Sequence, residues 1–334
     1  MDGLTKKTFT TSRNYTYAYH YWQPSASIPP KPTLLLCHGW PDHAELYAGI
    51  LPCLLDLGHP IIVPDCLGYG GTSKPTDYHA YSLKAMANDM HELLDQEGVE
   101  TLIPVGHDWG STLAQRIYLF RPSKCAGLIL LSVAYMLPQT KPFNLEETNK
   151  ATEREYGYPS LAYWDLFAAD DGPALLHAHV ETLFHLLHLD HPDAMKLFFA
   201  THGNTRSLLT KTVPSDWPLK PYARAPGFKE AFIARMQRDG FEGPQCWYKA
   251  QARNVNFEVE REFPGEEWGI KVPCLYVSGT GDVVCRTDGM DGDVVRGLVP
   301  DVTKVVLEGA GHWIPFERAE EVGKAMSEWL GERF

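Results

Sequence analysis

The sequence predicts an α/β protein whose parallel sheet is interrupted by one helical insertion, and three observations predict it. Between residues 33 and 132, short β-branched or Leu-rich runs alternate with longer segments of helical period, the pattern of successive β-α-β units. After Pro138 that rhythm gives way to a polar stretch and then to segments rich in His, Phe and Leu, up to about Asn254. The strand rhythm returns at Cys274–Ser278 and Val302–Leu307, so the middle stretch reads as an excursion from a single sheet.

Each element has its own signal. Thr8–Trp22 carries Thr and Tyr residues around Arg13-Asn14 and predicts an antiparallel hairpin on the sheet edge. Thr33–Cys37, Ile61–Val63, Leu102–Val105 and Leu128–Leu131 predict strands, while Glu45–Asp56, Leu83–Gln96 and Ser111–Phe120 carry helical period. A helix from Glu317 to Leu330 follows the last strand. The division expected from this order is core over residues 1–137, insertion over 138–254 and the rest of the core over 255–334.

Composition narrows the function classes. A chain of 334 residues can bury roughly 75% of its unfolded surface, so it needs no disulfide staples. Thirty basic against 42 acidic side chains give a net charge of -12 without a compact basic cluster, which argues against a nucleic-acid partner. The cysteines (Cys37, Cys53, Cys66, Cys125, Cys246, Cys274, Cys285) are odd in number and lack a C-x-x-C pair. They suggest neither a disulfide framework nor a thiolate zinc site, and inert burial is expected. The longest apolar run, Ala126–Leu137, is broken by Ser132 and is shorter than the ~18 residues a membrane span needs. No apolar segment follows the first lysines as in a secretory signal, so a cytoplasmic location is expected.

The chemistry concentrates at three loops. Gly106-His107-Asp108-Trp109-Gly110 joins a predicted strand to a predicted helix in the G-x-nucleophile-x-G spacing of a nucleophile elbow. An Asp there could merely cap the helix. Two further groups favour catalysis: Asp282 in Ser278-Gly279-Thr280-Gly281-Asp282 and His312 in Gly309-Ala310-Gly311-His312-Trp313 each follow a strand, in the order nucleophile, acid, His. Asp282 can orient the imidazole while His312 acts as base on water. A carboxylate attacking saturated carbon leaves an alkyl ester that water can cleave, so the substrate should carry an electrophilic sp3 carbon, an epoxide or an alkyl halide. Epoxide opening also generates an alkoxide that needs a proton donor, for which tyrosine is suited.

His38-Gly39-Trp40-Pro41, the loop Asp65–Pro75 (DCLGYGGTSKP), GHDWGS at 106–111, SGTGD and GAGHW together resemble the α/β-hydrolase fold, and specifically the soluble epoxide hydrolases, over nearly the whole chain. The resemblance implies a mostly parallel eight-stranded sheet flanked by helices, with an inserted helical cap. It implies Asp108 as nucleophile, His312 as base, Asp282 as orienting acid and an oxyanion hole made by the N–H groups of Trp40 and Trp109, with His38 and His107 in structural roles. Cys246–Asn254 (CWYKAQARN) resembles the family's W-Y-[RK]-x-x-x-R-N segment and nominates Tyr248 as a proton donor. Ala162–Phe167 (AYWDLF) resembles the other lid segment and nominates Tyr163, with Tyr156 and Tyr158 close by. Trp40, Pro41, Trp109, Phe167 and Trp313 are the expected pocket residues. Thr72 departs from the family's usual Ser at a structural position.

The expected partner is a small-molecule epoxide, with no cofactor and no metal, the chain acting as a monomer or homodimer. The histidines His177, His179, His185, His188 and His191 crowd one stretch of the insertion but lack H-E-x-x-H spacing and are assigned to packing and polarity. The main rival is a haloalkane or haloacid dehalogenase, which also uses an Asp. Its usual Asn after His-Gly, or Arg after the Asp, is absent here. A ligand receptor that kept the fold without turnover is the remaining alternative, and the intact triad argues against it.

Overall fold

The computed structural model describes residues 1, 3–25, 27–211, 217–265 and 268–334. Its strands are β1 (Thr5–Thr10), β2 (Thr16–Trp22), β3 (Thr33–Cys37), β4 (Ile61–Pro64), β5 (Leu102–His107), β6 (Leu128–Leu131), β7 (Cys274–Gly279) and β8 (Val302–Leu307). They form one eight-stranded sheet in the order β1-β2-β4-β3-β5-β6-β7-β8. β2 runs antiparallel to β1 and β4, and the pairings from β4 to β8 are parallel. The edge hairpin is present, starting at Thr5 instead of Thr8, with Asn14 at φ +62° in its turn. Strands β3 to β7 are buried along their whole length, as parallel strands covered on both faces must be, whereas the edge strand β8 leaves Val306 exposed.

Helix α1 (Leu83–Gln96) matches its periodic segment, and α2 (Trp109–Phe120) begins two residues before the expected Ser111. The helix expected over Glu45–Asp56 is divided into a 3-10 turn, Ala44–Tyr47, and a short helix, Leu51–Leu55. Pro52 sits in the first turn of that second piece, where its missing N–H costs nothing; inside one continuous helix it would have removed a hydrogen bond.

Between β6 and β7 the chain leaves the sheet for a run of helices that includes Leu145–Tyr156, α3 (Trp164–Phe167), Val180–Leu187, Ala194–Phe199, Phe228–Asp239, α4 (Glu242–Ala252) and Val255–Glu260. One side chain of α2 gathers the two roots of this excursion. Arg116, fully buried, gives Nη1 to the Met136 carbonyl (2.7 Å) and Nη2 to the Leu137 carbonyl (3.2 Å), while Nε reaches Glu260 Oε1 (2.6 Å). Glu260 Oε2 also accepts the Gln139 N–H at 2.9 Å. The closing helix is again two pieces, Ile314–Glu317 and α5 (Ala319–Arg333), because Arg318 leaves helical geometry at φ −140°, ψ 42°.

Candidate active site

β5 runs two residues further than predicted, to His107, and ends directly at the elbow. Asp108 takes φ +55°, ψ −126°, a conformation rare for a residue with a side chain, so the turn throws its carboxylate clear of the backbone. Two glycines make room for it. A Cβ on Gly110 would sit 2.0 Å from the Cys37 carbonyl oxygen, and one on Gly39 would sit 2.3 Å from Asp108 Oδ1. Because Gly39 admits it, the carboxylate reaches the loop after β3, where the Trp40 N–H donates to Asp108 Oδ1 at 2.7 Å. The Trp109 backbone N–H lies near the same carboxylate and helps to lower its pKa. Both expected oxyanion donors therefore converge on Asp108.

The loops after β7 and β8 supply the other two groups. His312 Nδ1 lies 2.6 Å from Asp282 Oδ2, and Nε2 lies 3.5 Å from Asp108 Oδ2. Asp282 Oδ1 accepts the N–H groups of Val284 (3.0 Å) and Cys285 (2.9 Å). The His312 carbonyl is held by the Ser132 hydroxyl (2.8 Å) and His107 Nε2 (2.9 Å). Burial works against the charge on His312, but Asp282 and Asp108 outweigh it and hold the imidazole pKa well above its ordinary value. Burial would raise both carboxylates; for Asp108 the hydrogen bond and charge of His312 prevail, and for Asp282 the charge and hydrogen bond of His312, so both stay below the ordinary range. The resting site is thus two carboxylates around one imidazolium.

The tyrosines approach from the insertion. Tyr163, just before α3, and Tyr248, within α4, stand 5.9 Å apart between ring centroids in an edge-to-face arrangement. They line a small cavity with Asp108, His312, Trp40 and Trp313. Burial, the neighbouring tyrosine and the Asp108 charge raise the Tyr248 pKa, and burial and Asp108 raise that of Tyr163, so both hydroxyls keep their protons. Helix α4 is anchored on the loop Asp65–Pro75: the Trp247 indole N–H donates to the Leu67 carbonyl at 2.9 Å. In that loop Thr72 does the structural work expected of it, donating to the Asp65 carbonyl (2.6 Å) and accepting the Ala18 N–H (2.9 Å).

The remaining expected pocket residues are divided. Trp109 lines a second cavity of about 480 Å³, which shares Asp108, Tyr163, Val284 and Cys285 with the first. Phe167 lines neither cavity: it is fully buried behind the tyrosines, with centroids 5.0 Å from Tyr163, 5.1 Å from Tyr248 and 4.5 Å from Trp40. Pro41 also stays outside them, its carbonyl accepting from Arg235 Nη1 at 2.7 Å. Of the neighbouring tyrosines, Tyr158 spends its hydroxyl on the Val283 carbonyl (3.0 Å), while Tyr156 lines the larger cavity. His38 bonds to the Gly39 carbonyl (2.9 Å) and the Cys66 N–H (2.8 Å), a structural placement. In the insertion, His188 bonds to the Tyr222 hydroxyl (2.9 Å) and His185 lies beside Lys229.

Residues of the site that went unnoticed in the sequence include Met195, Val284, Cys285 and Gln245. Met195 and Cys285 line the small cavity, and nothing local marks either. Gln245, fully buried, accepts the Trp40 indole N–H (2.7 Å) and donates to the Phe167 carbonyl (3.1 Å). Its position three residues before Tyr248, on the same helical face, was the available signal.

A mostly parallel sheet with an elbow aspartate, an Asp-His pair on the last two strand loops and tyrosines opposite has the architecture of an α/β hydrolase. The chain matches the family described as alpha/beta hydrolase fold over residues 32–319. It is 32% identical over 330 residues to epoxide hydrolase srdG of Neurospora crassa, covering 96% of this chain and 93% of that protein. It is also 28% identical to epoxide hydrolase A of Mycobacterium tuberculosis, covering 91% and 92% of the two chains. Among solved structures, epoxide hydrolase A from Mycobacterium thermoresistibile superposes with a TM-score of 0.80 at 25% identity over 98% of both chains. The chain belongs to the α/β-hydrolase fold family and, within it, to the epoxide hydrolases.

Proposed function

We propose that the chain converts epoxides to vicinal diols through a covalent ester on Asp108. The observation that carries this reading is the meeting, around one cavity, of a carboxylate held ionised and two tyrosine hydroxyls held protonated. Asp108 Oδ1 is occupied by the Trp40 N–H, so Oδ2 is the attacking oxygen. It forms a bond to a ring carbon as the carbon–oxygen bond of the epoxide breaks, and Tyr163 or Tyr248 gives its proton to the departing oxygen. The ester has no charge, so one of the two carboxylates that kept His312 protonated is gone. The imidazolium then gives up its proton, which makes good the one the tyrosine lost in ring opening, and the neutral imidazole is the base that activates water. Water then attacks the ester carbonyl, the oxyanion on Oδ1 meets the Trp40 and Trp109 N–H groups, and collapse releases the diol and restores Asp108.

Residues 138–254 act in this reading as a cap that brings the tyrosines over a core formed by 1–137 and 255–334. Among the described residues no helix is long and apolar enough to cross a membrane. A cytoplasmic enzyme acting as monomer or homodimer, needing no cofactor, completes the proposal.

The test is trapping. His312→Gln incubated with an epoxide should gain the mass of one substrate molecule, mapped to Asp108. In the wild type a single turnover in heavy-oxygen water should label the Asp108 carboxylate. Label confined to the diol, with no adduct, would mean that water attacks the ring directly. Halide release from haloalkanes in place of diol from epoxides would favour the dehalogenase.

A further inference from the structure

Cys285 has no part in the steps above, yet the fold places it among them. It follows Asp282 by three residues, on the turn whose N–H groups grip Asp282 Oδ1. One potential ligand atom from each of Asp282, Cys285 and His312 lies within 4.8 Å of the other two. Cys285 lines both cavities, so a small ion entering either one meets the thiol. The site also holds two carboxylates and a single imidazole, Asp108 Oδ2 being 3.5 Å from His312 Nε2.

The geometry points to a binding site for a thiophilic divalent cation, Zn2+ or Cd2+, formed by Asp282, Cys285 and His312, whose occupation stops turnover. Zinc takes thiolate sulfur at about 2.3 Å and imidazole or carboxylate donors at about 2.0–2.2 Å, which sets tetrahedral donors roughly 3.3–3.7 Å apart. To reach that spacing the Asp282–His312 contact opens from 2.6 Å while the Cys285 thiol closes on the pair from within 4.8 Å. A divalent ion deprotonates a coordinating thiol outright, and the proton leaves to solvent. The ion's charge then replaces that of the imidazolium between two carboxylates. The fourth position faces the cavity, where water can complete the tetrahedron. His312 cannot serve the ion and also accept a proton from the hydrolytic water, so ester hydrolysis ceases. The loss of turnover rests on the mechanism proposed above; the binding of the ion does not.

Zinc-loaded wild-type protein, examined by X-ray absorption, should show one sulfur neighbour per bound ion, the remaining ligands being nitrogen or oxygen. A shell without sulfur would overturn the site, as would one with two sulfurs. Zn2+ and Cd2+ should inhibit diol formation at least tenfold less strongly in Cys285→Ser and in Cys285→Ala than in the wild type, each scored against its own metal-free rate. Equal inhibition in both variants would refute the assignment. An ion bound through one sulfur that leaves turnover intact would uphold the site and count against His312 as the hydrolytic base.

Discussion

Gln245→Leu offers a quantitative test of how the insertion fixes the oxyanion loop. The substitution removes the acceptor of the Trp40 indole N–H (2.7 Å) and the donor to the Phe167 carbonyl (3.1 Å), in a place where Gln245 and Phe167 are fully buried. An unmatched buried polar group costs about 1–3 kcal/mol, so two cost about 2–6 kcal/mol. The leucine returns about 1–2 kcal/mol through its apolar surface. At the centres of those ranges the unfolding free energy should therefore fall by about 2.5 kcal/mol, read as a lower urea midpoint with an unchanged slope. Activity should also suffer. The Trp40 backbone N–H holds Asp108 Oδ1, and complete loss of an oxyanion donor typically costs about 10²–10³ in kcat, so a displaced Trp40 should lower kcat by roughly tenfold. Trp40→Phe removes the other partner of the indole bond, and in the double variant the penalties should overlap by about 1–2 kcal/mol. A Gln245→Leu protein within about 0.5 kcal/mol of wild type, or a strictly additive cycle, would show that the hydrogen bond does not couple the two segments.

Tyr163→Phe and Tyr248→Phe should each slow ester formation by about 10- to 100-fold in rapid-mixing experiments, and the double variant should nearly stop it. Two silent single variants would send the search for the proton donor to Tyr156. Asp42 is buried beside the same loop, and burial, only partly offset by Arg235 and the Trp313 indole N–H, pushes its carboxyl up to about 7. Its folded form therefore binds a proton more tightly than the unfolded chain, and its ionisation costs stability as pH rises from about 4 towards about 7. Asp42→Asn should consequently gain thermal stability relative to wild type at pH values above that range and not below it; an equal difference at both ends would exclude the linkage. Glu260→Ala strands the buried Arg116 guanidinium and should lower the unfolding free energy by about 3–5 kcal/mol in a denaturant titration.

The parts of this protein that were legible in the sequence are those whose signal is local. A parallel strand, the loop after it and the helix that follows lie in one short stretch, so the segments around Asp108, Asp282 and His312 could be read separately and do converge. The division of Glu45–Asp56 was legible too, had Pro52 been given its weight. What escaped depends on contacts between distant segments. Gln245 and Trp40 are 205 residues apart, and neither reveals the other without the fold. Phe167 was expected in the pocket as part of the lid-like segment Ala162–Phe167. The turn of α3 points it behind Tyr163, where hydrophobic burial takes it.

The buried Arg116 cluster has a consequence for how such a chain can be remodelled. A single guanidinium grips the backbone where it departs from the sheet, at Met136 and Leu137, and the carboxylate of Glu260 where it returns. Trp247, Gln245 and Arg235 tie the excursion to the core loops elsewhere, so this neck at its two roots is one fastening among several. A foreign lid spliced between Leu137 and Glu260, with the glutamate kept, would arrive on a scaffold whose attachment is already built. New pockets could then be tried on this core, provided that each graft brings tyrosines to the places of Tyr163 and Tyr248.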